Sequence, residues 1–157
     1  MTLCFKHNAQ LELNRVEYSG ALAPKELYAH AHFRGAHGQW LNYDHLNLVL
    51  PGADASQLSN TMLDAIYAQH QALFQTEKLL ILRRSAWVCQ SAAAMGALRY
   101  WLGDRFTKPR AYTDVRLFET IEDACDWLLL QGHEKALAVR GEGFEEIARF
   151  TAPSIAA

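Results

Sequence analysis

The 157-residue sequence predicts an α/β fold: a two-layer sandwich whose mixed, mostly parallel sheet of four to five strands carries its helices mainly on one face. Two observations lead there. Short segments of alternating polarity take turns with longer segments whose apolar residues recur at helical spacing, and that order makes neighbouring strands parallel. Three of the four main strand segments also show one polar face, whereas a sheet covered on both sides calls for strands that are apolar throughout.

The elements follow in order. Leu11 to Tyr18 alternates, with Leu11 and Leu13 set against Glu12 and Asn14, and reads as a strand with one solvated face. A second strand is allowed for near it. Ser19-Gly20 is a turn, and Pro24 fits the first turn of a helix that ends near Gly35 or Gly38. His45 to Leu50 alternates again, and Pro51-Gly52 ends it. A helix is expected from about Ser56 to Phe74, with Leu58, Met62, Ile66 and Leu73 on its buried stripe. Lys78 to Arg84 contains LLIL, apolar on both sides, which suits a central strand. Trp87 to Leu102 reads as a third helix, capped by Gly103. Asp114 to Phe118 is a strand with Val115 and Leu117 inward. Thr120 is placed as an N-cap with Asp123 three residues on, and Ile121, Ala124, Cys125 and Leu128 form the stripe of a fourth helix. Beyond it, FEEIARF reads as a short helical pattern.

Composition narrows the function. Half the residues are hydrophobic and 20% are charged, an ordinary globular balance. A net charge of −2 argues against a general nucleic-acid binder. Cys4, Cys89 and Cys125 are widely spaced and odd in number, so they form neither a zinc motif nor a disulfide framework and suit a reducing cytoplasm. The opening MTLCFKHNAQ carries no signal-peptide pattern, and no apolar run is long enough to span a membrane. No nucleophile elbow, phosphate loop or dinucleotide fingerprint occurs; GEGFEE at residues 141–146 is a near miss that follows no convincing strand. No enzyme activity and no cofactor are expected.

Four constellations remain. Ser56, Ser59 and Thr61 stand near a helix start, with Asp54 just before them. A phosphate there would meet free N–H groups, but the same residues serve as plain caps, which is the preferred reading. His30, His32 and His37 suggest metal, yet on a helix His30 and His32 point about 160° apart and His37 lies roughly 10 Å along the axis from His30. Basic residues exceed acids between residues 83 and 116, so Arg83, Arg84, Arg105, Lys108 and Arg110 are candidates for an anion or partner patch, against the plainer reading of a solvated rim. Trp87 and Met95 could line a pocket, although core packing is the simpler role for Trp87.

The order of elements, with HLNLVLPGADASQLSNTMLDAI, KLLILRR, SAAAMGALRYWL and DVRLFETIEDACDWL, resembles the STAS-like, or SpoIIAA-like, domain over roughly residues 3–130. On that resemblance residues 1–130 form the domain and residues 131–157 a helical extension and tail of it. The resemblance implies a non-enzymatic role in protein interaction, with a protein partner or a second copy of the chain. It also implies a phosphate-accepting serine or threonine at the start of the second helix. Asp54-Ala55-Ser56 approximates that motif but lacks the glycine that usually follows. The superfamily also resembles SEC14-type lipid carriers, so a small apolar ligand is the alternative.

Overall fold

The computed structural model describes residues 2–74, 83–103 and 113–151. Among them six strands form one sheet: β1 (Thr2–Asn8), β2 (Leu13–Ser19), β3 (Asp44–Val49), β4 (Arg83–Cys89), β5 (Thr113–Phe118) and β6 (Glu145–Thr151), in the order β5-β4-β3-β2-β1-β6. The helices are α1 (Pro24–Ala36), α2 (Asn60–Phe74), α3 (Ala92–Leu102), α4 (Ile121–Trp127) and α5 (Gly132–Arg140), with a 3₁₀ turn at Gly38–Asn42. β2 to β5 are parallel and lie in sequence order, while β1 runs antiparallel to both β2 and β6. Crossovers of one hand that never reverse direction keep their helices on one side. Accordingly α1 and α3 share one face, with α2 packed between them.

The sheet has six strands, not four or five, and the two-layer expectation needs correcting. Leu13, Leu46, Leu48, Ala86 and Val88 face the other way and are covered by Ala124, Cys125 and Leu128 of α4 and Ala138 of α5. The sheet is therefore covered on both sides where β3 and β4 lie. The polar strand faces misled because they are not solvated: Asn14, His45 and Asn47 are buried under α1–α3. Their side chains bond to one another and to backbone, which removes the cost that normally keeps such groups in water.

Other elements shift as well. β2 starts at Leu13, because Leu11 sits in the hairpin, where its N–H donates to Asn8 Oδ1 at 3.0 Å. Trp87 belongs to β4 and not to a helix, which begins at Ala92. Residues 78–82 of the predicted central strand lie outside the described residues. In α2 the buried positions are Leu63, Ile66 and His70, while Met62 is 42% exposed. Leu117 is exposed on β5, the sheet edge. FEEIARF is strand, not helix: β6 pairs with β1, and that long-range ladder outweighs the local spacing. Thr120 does cap α4, accepting the Asp123 N–H at 3.1 Å. The three cysteines are free thiols.

Candidate functional site

Two regions combine chemistry with an unusual setting. The first is the loop after β3. Backbone bonds tie it to the loop after β2: Leu22 N–H donates to Asp54 O at 2.7 Å, and Asp54 N–H donates to Gly20 O at 2.9 Å. Ala53 N–H closes the Pro51-Gly52 turn on Leu50 O at 3.1 Å, with Gly52 at φ +82°, where a side chain would be strained. Ser91, in the loop after β4, donates its hydroxyl to Ala53 O. Three successive strand-to-helix loops are thus locked together at the carboxyl ends of the parallel strands. From this base Ser56, Gln57, Ser59, Asn60, Thr61 and Met62 are exposed.

The hydroxyls differ in role. Ser59 Oγ accepts the Met62 N–H at 3.2 Å, and Ser59 O accepts Leu63 N–H, so Ser59 is the N-cap of α2. The capping reading holds for it. Ser56 precedes the helix by four residues. Asp54 Oδ1 accepts the Ser56 N–H at 2.8 Å, and Asp54 Oδ2 accepts the Ser56 hydroxyl at 3.1 Å, an Asx turn that fixes the loop tip. Thr61 is exposed in the first turn of α2.

The second region lies between the sheet and α1. Glu26, His30, Phe33 and Arg34 fall on one side of that helix by spacing. Glu26 is 3% exposed and His30 is 4% exposed. Neither Glu26 carboxylate oxygen has a hydrogen-bond partner, nor has His30 Nε2. The Phe5 ring lies tilted to His30 and edge-on to His45, at 6.0 and 6.3 Å between ring centres. Burial holds His30 well below the ordinary imidazole range, and the charge of Arg34 adds to the effect. Burial, then Arg34, likewise pushes His45 and His70 down to about 3. The fold therefore keeps three neutral imidazoles in its interior.

One of them ends a hydrogen-bonded chain. His45 Nδ1 lies 2.9 Å from Tyr43 O, and its Nε2 lies 3.3 Å from Asn14 Nδ2. Asn14 Nδ2 also donates to Trp40 O at 2.7 Å, and Asn14 Oδ1 lies 2.8 Å from His7 Nδ1. A carbonyl only accepts, so His45 carries its proton on Nδ1 and accepts from Asn14, and His7 Nδ1 must donate.

Among the described residues, the remaining predicted ones do not assemble into a site. Arg83 is buried and donates to Leu41 O and Asn42 Oδ1 at 2.7 and 3.0 Å. With Glu12, Asn42, Tyr43 and Asp44 it lines an open polar pocket of about 300 Å³ at the amino ends of β3 and β4. Arg84 points to the opposite face, donates to Trp127 O at 3.0 Å and lies over the Trp127 ring. The two arginines are thus separated by the sheet and act as structural ties. Arg105, Lys108 and Arg110 lie outside the described residues. Trp87 stacks on Tyr18 at 5.4 Å within the core, and Met95 is half-buried outside that cluster. Of the three histidines near α1, His30 is buried while His32 and His37 are exposed, and no group of metal-binding side chains occurs among the described residues.

Fold and sites define an α/β protein with one six-stranded, mostly parallel sheet and, among the described residues, no helix long and apolar enough to cross a membrane. No protein-family model, curated protein or solved structure matches the chain.

The sequence singles out His30 only as a metal candidate and does not single out Glu26; that both face inward follows from the sheet on which Phe33 of the same helix packs.

Proposed function

We propose that the chain is a non-enzymatic, cytoplasmic interaction domain of the STAS-like type, which docks a protein partner, a second copy of itself included, on the loop and helix start at Asp54–Met62. The observation that carries this reading is the locking of that loop. Its backbone is held from both neighbouring loops, yet Ser56, Gln57, Ser59, Asn60, Thr61 and Met62 are exposed. A contact surface preformed on a rigid scaffold loses little entropy on binding. The sequential β-α order with three crossover helices on one face supports the STAS-like assignment.

Within this reading Ser56 is the phosphate acceptor and Ser59 is not. Ser59 is engaged in capping α2, whereas Ser56 is exposed and bonded only within its own turn. A phosphate on Ser56 would face the Asp54 carboxylate. Like-charge repulsion would break the Asx turn and alter the surface, which is how such a modification could switch binding off.

A photo-crosslinking amino acid placed at Gln57 in the intact host cell tests the docking surface, with Glu122 on α4 as the control position. A discrete adduct from Gln57, absent from Glu122, is the expected result. Equal adducts from both positions, or none from Gln57, would overturn the reading.

A further inference from the structure

The amino ends of the parallel strands gather charges of both signs around one pocket. β2–β3 pairing sets Leu13 beside Asp44, and β3–β4 pairing sets His45 beside Ser85. Carried back towards the strand starts, the same registers bring Glu12, Tyr43 and Arg83 into one row across three neighbouring strand ends. Strands lie about 4.8 Å apart, so Glu12 and Arg83 stand about 10 Å apart at the backbone. These three residues, with Asn42 and Asp44, line the open polar pocket of about 300 Å³. Arg83 is its most buried member, 8% exposed. Two of the Arg83 nitrogens are engaged by Leu41 O and Asn42 Oδ1. The third, Nη1, has no partner among the described residues and is not sealed from solvent. Asp44 accepts the Arg84 N–H at 2.9 Å on one carboxylate oxygen and keeps the other, and Glu12 is exposed. A pocket that joins one fixed guanidinium to two carboxylates matches a guest that carries both charges. A lone anion would meet the carboxylates, and a lone cation would meet the guanidinium.

We propose that Glu12, Asp44 and Arg83 form a binding site for a small zwitterion of the α-amino acid class. Its carboxylate accepts from Arg83 Nη1, and its ammonium group donates to the Glu12 and Asp44 carboxylates. The pocket volume of about 300 Å³ holds a guest of this size. The site lies at the opposite end of the strands from the Asp54–Met62 surface and stands or falls separately from it.

The full chain, labelled with ¹⁵N, is titrated with glycine at pH 7.5, with acetate and methylammonium as probes that carry one charge each. Half-saturation at about 1 mM is the scale expected for a guest of five heavy atoms in an open pocket. The expected result is a saturable shift of the amides of residues 12, 42–44 and 83–84 and of the Arg83 Nε–H signal, with neither single-charge probe saturating below about 50 mM. The double variant Glu12→Gln, Asp44→Asn keeps the size of both side chains and the oxygen that accepts the Arg84 N–H. It should weaken glycine binding by about fivefold or more. Glycine shifts that do not saturate below about 50 mM, or acetate or methylammonium saturating at the same concentration as glycine, would overturn the proposal from the unmodified protein alone. Unchanged affinity in the double variant would overturn it as well.

Discussion

Asn14 and His45 lock each other across the β2–β3 ladder: His45 Nε2 lies 3.3 Å from Asn14 Nδ2, and the opposite ring nitrogen faces the Tyr43 carbonyl at 2.9 Å. Only a neutral imidazole fits, since a second ring proton would point at the Asn14 amide, itself a donor.

This relationship fixes a pH dependence. Folding depresses the pKa of His30, His45 and His70, with the folded values of the last two near 3. Below about pH 6.5 the unfolded rings take up protons that the folded ones refuse. Stability is therefore full above that pH and declines as acid is added, through the window down to about pH 3. Each ring contributes a slope of at most about 1.4 kcal/mol per pH unit. His45→Gln should lower stability at neutral pH and remove close to one proton from the uptake on unfolding. Urea midpoints measured from pH 7.5 to pH 4.5 check both.

Ser59 and Ser56 should separate on mutation. Ser59→Ala removes the α2 cap and is expected to cost about 1 kcal/mol. Ser56→Ala removes a bond at an exposed loop tip and should change stability by less than about 0.5 kcal/mol. Thermal unfolding of the two variants beside the parent protein decides it.

Gly141 is the left-handed C-cap of α5, at φ +71°. A Cβ there would lie 3.0 Å from the Arg15 guanidinium carbon, while Arg15 Nη1 holds the Ala138 carbonyl at 2.6 Å. Gly141→Ala therefore combines backbone strain with displacement of a buried arginine and should cost about 1 kcal/mol or more. Gly96, where a Cβ would meet nothing, is the control: Gly96→Ala lies inside α3 and should stabilise, by about 0.5–1 kcal/mol. Denaturant titration measures both.

Phe5 is fully buried on β1, among the rings of His30, Phe33, Trp40 and His45. Phe5→Ala should cost about 3–5 kcal/mol through lost burial and the cavity it leaves. Phe5→Leu keeps most of the volume and should cost less. A comparable loss in both would mean that ring contacts, and not volume, dominate at this position.

The sequence made β3, β5, the Thr120 cap and the βα alternation legible, because each rests on local spacing. Met62 and Leu63 show where phase fails. A stripe drawn from Leu58 runs through Met62, but α2 starts only at Asn60, and the helix turns Leu63 inward instead. β6 was hidden for another reason. Phe144, Ile147 and Ala148 fit helical spacing, and only pairing with β1, far away in the chain, makes the segment a strand. The site residues divided in the same way. Capping was legible for Ser56, Ser59 and Thr61 as a group, but a helix drawn from about Ser56 hides that Ser59 is the cap of a helix that starts at Asn60. Glu26 and His30 were not readable as interior, because polar residues on a weakly amphipathic helix suggest solvent until the opposing sheet is known. Asn14, His45 and Asn47 suggested a solvated face for the same reason, and that misread the layering.

The central claim is that the Asp54–Met62 surface is held in place by the fold before any partner arrives. Hydrogen exchange at the Leu22 and Asp54 amides tests it most directly, since these two bonds lock the loop to its neighbour. In the free protein both amides should exchange as slowly as those of β3, opening only with global unfolding. Exchange of either one at the rate of an unstructured loop would contradict the claim, because the surface would then have to be formed by the partner.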